Sequence, residues 1–394
     1  MVNSMLETGI PKLDEYLSGG IPKGKSLIYL NYPGVEGDVF GMQTLYHCLT
    51  TGNNCIYVSS SSHPNMLIDQ FSEFGWPIEN YKEKLSVIDA YSSLVGDISS
   101  EKFIVPDPED VNSITEVIDH VIKEVPEGSV FIFSSLSTIM DLCGEDNTIN
   151  AVQSWNKTAK RNRMISIYNF TAWPYTESTL VQIKNDIFNC VINVGGITQQ
   201  VIYGQYFCVS KADWIKFQKR SMLFRVLRPG GIKIYLPKIL VTGPFNAGKS
   251  TFVHSLSTRA VSVDRKGTTI ALDHGHIDYK GFSADIFGTP GQNRFDPIIK
   301  MISGEAMGVF LVVDSTNPEN FNRAQQMLEI TTGYGLPYVI IANKQDMQDA
   351  ISIDDIRKQL NIPEEIPVVS TIATEKKGVF EAFELLVDKI TGGI

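Results

Sequence analysis

The chain lacks the features that mark several common protein classes. Only five of its 394 residues are cysteine (Cys48, Cys55, Cys143, Cys190 and Cys208), odd in number and without a CxxC spacing. That scarcity argues against a disulfide framework and a zinc knuckle, and leaves buried, reduced thiols as the expectation. Long apolar runs are missing as well: Ala306 to Val313 is among the longest, well short of the roughly 18 residues a membrane span requires. The opening MVNSMLETGI has no basic stretch followed by an apolar core, and neither Val2 nor the tail ITGGI suits lipidation, so no leader or anchor is expected. Basic charge is not in excess either. With 34 Lys/Arg against 44 Asp/Glu the formal net charge is -10, which disfavours a general affinity for nucleic-acid phosphates or anionic membranes. A soluble, cytoplasmic protein of two or three globular domains is the resulting expectation.

What is present is unevenly distributed. Residues 1–210 hold 12 basic against 24 acidic side chains, 211–236 hold seven against one, and 237–394 hold 15 against 19. The basic stretch DWIKFQKRSMLFRVLRPGGIKIYL alternates apolar and polar residues around Pro229-Gly230-Gly231, the pattern of a β-hairpin. Its lysines and arginines, Lys219 and Arg220 among them, suit a solvated edge strand or a partner contact. On both sides of it short buried strands alternate with helical segments, which predicts largely parallel sheets covered by helices. The fold class read from this is α/β, with two three-layer domains at 1–236 and 237–394.

The second domain opens with Gly243-Pro244-Phe245-Asn246-Ala247-Gly248-Lys249-Ser250, which satisfies GxxxxGK[ST] directly between a strand and a helix that continues into Thr251. In such a loop Gly248 lets the backbone wrap a phosphate, successive N–H groups donate to it, Lys249 reaches the outer phosphates and the Ser250 hydroxyl ligates Mg²⁺. About a hundred residues later Asn343-Lys344-Gln345-Asp346 follows the apolar strand YVIIA. A carboxylate there pairs with the ring N–H and exocyclic amine of guanine, whereas adenine would leave it desolvated and unpaired.

These motifs together resemble the small GTPase superfamily over residues 236–394. The resemblance implies that Asn343 and Asp346 select guanine, that Lys344 packs along the base, and that the Ala373 N–H within Ile372-Ala373-Thr374 meets the guanine oxygen. It also implies that Thr269, within Lys266-Gly267-Thr268-Thr269-Ile270-Ala271-Leu272-Asp273, ligates Mg²⁺ and senses the γ-phosphate, with Thr268 as the alternative. The third motif, Gly288-Thr289-Pro290-Gly291-Gln292, departs from the family's DxxGQ by placing glycine where an aspartate holds a metal-bound water. Asp285 does not replace it, since three residues upstream on a strand it lies about 10 Å back and faces the other way. Magnesium is therefore expected to rest on Ser250, Thr269 and the phosphates, with weakened outer support. The TPGQ form resembles the MglA-like prokaryotic GTPases, which share features with the Arf and signal-recognition-particle-receptor-β groups. Gln292 would orient the attacking water and the Gly291 N–H would contact the γ-phosphate; Gln292, Lys249 and Thr269 are the candidate catalytic residues. Arg294 suits a surface or partner contact better than an arginine finger, so slow hydrolysis, accelerated by a partner, is expected.

The first domain begins with Thr8-Gly9-Ile10-Pro11-Lys12-Leu13-Asp14 and Ser18-Gly19-Gly20-Ile21-Pro22-Lys23-Gly24, and over residues 6–236 it resembles KaiC-like members of the RecA superfamily. That family's phosphate loop is replaced by Asn31-Tyr32-Pro33-Gly34-Val35-Glu36-Gly37-Asp38, which loses the lysine and gains two carboxylates. The family's glutamate pair has become Ser59-Ser60-Ser61-Ser62 and its metal-organising aspartate lies where the chain has Ser134-Ser135. The expectation is a RecA-type fold without ATP chemistry, kept as a scaffold or oligomerisation module. The reading overall is a GTP-binding switch using Mg²⁺ and turning GTP into GDP, with protein effectors or activators as partners. Its alternative is a guanine-nucleotide-binding scaffold with negligible turnover. His274 and His276 share one face of a strand but lack an evident third metal ligand; Tyr168, Phe170, Trp173 and Tyr175 suit core and loop packing.

Overall fold

The computed structural model describes residues 5–198, 203–216, 220–261, 264–265, 268–269, 273–280, 282–303, 306–332 and 335–391. Lys219, Lys266, Gly267 and Ile270 to Leu272 lie outside them. Two compact units are formed, one within Met1–Gly196 and Gln205–Tyr235 and the other within Ile197–Gly204 and Leu236–Ile394.

In the first unit the short apolar runs become β1 (Ser26–Asn31), β2 (Cys55–Ser59), β3 (Leu85–Asp89), β4 (Phe103–Ile104), β5 (Val130–Phe133), β6 (Ile165–Thr171) and β7 (Cys190–Thr198), followed by β8 (Tyr203–Ala212), β9 (Arg220–Leu227) and β10 (Gly231–Tyr235). They build one sheet in the order β10-β9-β8-β7-β1-β6-β5-β2-β3-β4. Parallel pairing runs from β7 through β4, and β8, β9 and β10 add antiparallel pairs. Strands β1, β2 and β5 are buried along their whole length, as sheets covered on both faces require. Trp155, Phe133 and Tyr168 stack near the centre of one core layer. The basic stretch forms the expected hairpin, with Pro229 and Gly230 at its turn. The aromatic set divides: Tyr168 and Phe170 are core, Tyr175 stacks on Phe170, and Trp173 is 69% exposed.

The second unit contains β11 (Lys238–Thr242), β12 (Arg259–Val261), β13 (Asp264–Arg265), β14 (Thr268–Thr269), β15 (Asp273–Tyr279), β16 (Phe282–Gly288), β17 (Gly308–Asp314), β18 (Tyr338–Asn343) and β19 (Val368–Thr371). Its main sheet has the order β12-β15-β16-β11-β17-β18-β19, while β13 and β14 form a separate two-stranded ladder. From β16 to β19 the pairing is parallel, and β15 runs antiparallel to β16. This topology sets the site. The parallel strands deliver their C-terminal loops to one edge, where ligands of such sheets bind, and the antiparallel β15 brings its first residue, Asp273, to that same edge. The segment after Gln292 is a single 3₁₀ turn, Asn293–Phe295, before the helix Asp296–Ser303.

Candidate functional site

The loop after β11 is shaped by its glycines. Gly248 sits at φ 94°, where a β-carbon would lie 2.3 Å from the Asn343 amide nitrogen, so only glycine permits both the turn and the contact. The helix Lys249–Leu256 starts at once, with Phe252 N–H donating to Gly248 O, and its first turn carries Lys249 and Ser250. Lys249 is buried, and its Nζ donates to Pro244 O at 2.6 Å. Burial lowers its ammonium to about 8, opposed by the Asp273 carboxylate and reinforced by the Arg323 guanidinium. A phosphate arriving at the loop would offer this cation a better partner than a carbonyl.

The segments expected to read the base are joined to the loop after β11. Asn343 is 3% exposed; its Nδ2 donates to Ala247 O at 3.0 Å, and its Oδ1 accepts from Ala373 N–H and from Thr371 Oγ1, each at 3.2 Å. One side chain thus ties together the loops after β11, β18 and β19. The Ala373 N–H expected at the guanine oxygen is engaged by Asn343 here. Lys344 lies at φ 64° and reaches Asp314 Oδ2 at 2.5 Å; burial works against the Asp314 carboxylate, yet Lys344 and Thr316 hold it below its usual range. Gln345 donates to Ser315 Oγ at 2.7 Å and to Ile351 O at 3.1 Å. Asp346 and Thr374 are exposed, and so open to an incoming base.

The residue missed by sequence is Asp273. It is 1% exposed and stands directly opposite Gly288 in the β15–β16 pairing. Its Oδ2 accepts from Ser250 Oγ at 2.6 Å, while its Oδ1 is buried without a hydrogen-bond partner. A β-carbon at Gly288 would lie 3.0 Å from both Asp273 Cβ and Oδ2. Glycine in the third motif and aspartate on the next strand therefore share one space. The position expected to carry an acid on β16 is glycine, and the strand paired with it places the Asp273 carboxylate opposite that glycine. An acidic residue four positions after Thr269 was the available sign, but its meaning depends on the antiparallel pairing. The donor set fits a divalent cation, since a hydroxyl and a carboxylate with an unpartnered oxygen converge beside the phosphate loop.

Thr289 anchors the start of the following segment, its N–H on Val241 O at 2.8 Å and its Oγ1 on Thr242 Oγ1 at 3.0 Å. Gly291 packs against the backbone of Pro244 and Phe245, and Gln292 is half-buried beside it. Thr268 and Thr269 pair through their backbones with Arg265 and Asp264 in the separate ladder. His276 Nδ1 meets Asp285 Oδ1 at 3.1 Å and His274 Nε2 lies 3.7 Å from the same oxygen, yet among the described residues no group of three His, Cys, Asp or Glu is arranged to hold a metal ion.

The loop at the position expected for the first unit's phosphate loop holds a buried amide and a surface ion pair. Asn31 is 2% exposed, its amide lies against Gly37, and neither amide atom has a hydrogen-bond partner. Glu36 is bound by Arg228 at 2.5 Å, whose guanidinium also lies over the Phe74 ring. Asp38 begins the helix Asp38–Thr50. Where carboxylates would organise a metal, Ser60 Oγ meets Ser134 Oγ at 3.1 Å and donates to Ser135 O at 2.7 Å, a closed and uncharged network.

Comparison with known proteins finds a different family in each part of the chain. Residues 6–239 match the family described as "ATPase: KaiC", and residues 233–390 match the ADP-ribosylation factor family, Arf. A UPF0273 protein of Aeropyrum pernix is 31% identical over 137 residues, covering 34% of this chain and 55% of the relative. One from Pyrococcus horikoshii is 33% identical over 132 residues, covering 33% and 53%. The chain thus spans about half the length of these curated relatives. Among solved structures, a KaiC-like protein from Pyrococcus horikoshii aligns with a TM-score of 0.49 at 18% identity, over 59% of this chain and 99% of that one. No helix among the described residues is long and apolar enough to cross a membrane.

Proposed function

From a chain that belongs to the KaiC family over more than half its length and continues into an Arf-family domain, we propose a GTP-binding switch that hydrolyses GTP slowly, with domains at 1–236 and 237–394. The observation that carries this reading is the Asn343 junction, which couples the phosphate loop to the guanine-reading loops. Asp346 would accept the guanine ring N–H and amine, and Lys344, held by Asp314, would line the base. Backbone N–H groups from Asn246 to Thr251 and the Lys249 ammonium would hold the phosphates. Ser250 and Thr269 would ligate Mg²⁺, with Asp273 accepting from its outer sphere; when bound, the ion neutralises charge on the phosphate oxygens. Gln292 would orient the attacking water and the Gly291 N–H would bind the γ-phosphate. Without an external arginine, turnover on the order of 10⁻⁴ to 10⁻² per second is expected.

The presence of Asp273 supports turnover over the alternative of a nucleotide-binding scaffold, because it supplies the acid that Gly288 lacks. The first domain, with Asn31 in its loop and serines in place of acids, is read as an ATP-inactive assembly or docking module for a cytoplasmic protein. Phosphate release from GTP by the purified full chain, compared with Gln292→Leu, tests the reading. A wild-type rate no higher than that of the variant would replace the enzyme by the scaffold, and absence of GTP binding would remove both.

A further inference from the structure

Six residues, Pro290 to Phe295, carry Gln292 between two fixed posts. The first is Thr289, bound to β11 through its N–H and hydroxyl. The second is Asp296, the first residue of the helix Asp296–Ser303, whose two carboxylate oxygens are held by Nη1 and Nη2 of Arg323 from the helix Phe321–Thr332. Phe295 N–H donates to Gln292 O at 3.1 Å, so a single hydrogen-bonded turn joins Gln292 to the clamped residue. The helices behind the clamp share one core, in which Ile299 packs with Phe321, Ala324 and Met327, all nearly fully buried.

We propose that Arg323 is a positioning residue for Gln292: its two-point grip on Asp296 fixes the far end of the segment that presents the glutamine to the phosphate site. The inference rests on the GTPase reading above and deepens it. The grip is suited to this task. The Arg323 side chain is 15% exposed and that of Asp296 30%, so the pair is shielded from water and salt more than a surface pair would be. A planar guanidinium holding both oxygens also fixes the orientation of the carboxylate, which a lysine cannot do. Arg323 Nε is buried without a partner, so the side chain has given up solvation to hold this position.

The test uses the full chain in single-turnover GTP hydrolysis and tryptic cleavage after the exposed Arg294. Because misplacement by about 1 Å costs up to the order of 10²-fold in rate, Arg323→Gln should lower hydrolysis roughly 10–100-fold, with the Kd for GTP within about threefold of wild type. Arg323→Lys should fall between the two. Added to Gln292→Leu, Arg323→Gln should cause no further loss, because the clamp acts through the glutamine. Cleavage after Arg294 should be faster in Arg323→Gln and in Asp296→Asn than in wild type. Unchanged hydrolysis, a loss of affinity that matches the loss of rate, or a full additional loss on the Gln292→Leu background each overturns the proposal. If Arg323→Gln does not fold, Arg323→Lys and Asp296→Asn carry the comparison. If wild type binds no GTP, the functional reading falls while the cleavage rates still decide the clamp, equal rates refuting it.

Discussion

Asp273 and Gly288 are one device written on two strands. The carboxylate accepts from Ser250 and keeps its second oxygen unpartnered, and glycine opposite it leaves the necessary room. Asp273→Asn should raise the Mg²⁺ concentration that half-saturates GTP binding by about 10–100-fold. Chelation of the metal should bring wild type down to the same affinity. Gly288→Ala should destabilise the chain by about 1–3 kcal/mol in urea unfolding, because its methyl group meets Asp273 at 3.0 Å. Base choice depends on a different carboxylate: Asp346→Asn should move preference from GTP towards xanthosine triphosphate, and an unchanged preference would remove Asp346 from the base site.

At the scale of elements, β11 and β18 coincide with apolar runs marked at their edges by Pro237 and Gly243, and by Pro337 and Asn343. The loops proposed to read phosphate and base stand out in the sequence, because their residues are contiguous. Two things were not. Asp273 acquires its role from an antiparallel register, and Arg323 from a contact between helices 27 residues apart in sequence. Neither juxtaposition has a local signature. The hairpin of β9 and β10 shows the same limit: its basic character was evident, but not that Arg228 would bind Glu36 and cover Phe74. With both partners about 40% exposed, that ion pair is weak and the ring contact adds a comparable amount, so Arg228→Ala should cost only about 1 kcal/mol in denaturant unfolding.

For the molecule as a whole, two nucleotide-type folds lie in one chain, and the proposal assigns nucleotide chemistry to one of them. Lys249→Ala in the full chain should therefore abolish nucleotide binding altogether, as judged by equilibrium dialysis with GTP and with ATP. ATP retained by that variant would show that the Asn31–Asp38 loop still holds phosphate. Relocation of the acid to β15 has a consequence for how such a switch reports its state. Asp273 lies four residues from Thr269 on one continuous stretch of chain, whereas Gln292 follows β16 and is tethered at Thr289 and Asp296. On the proposed reading, sensing of the ion and presentation of the attacking water would belong to separate strands. On that reading, a partner gripping one of them would read whether the metal is present without disturbing the machinery that ends the signal.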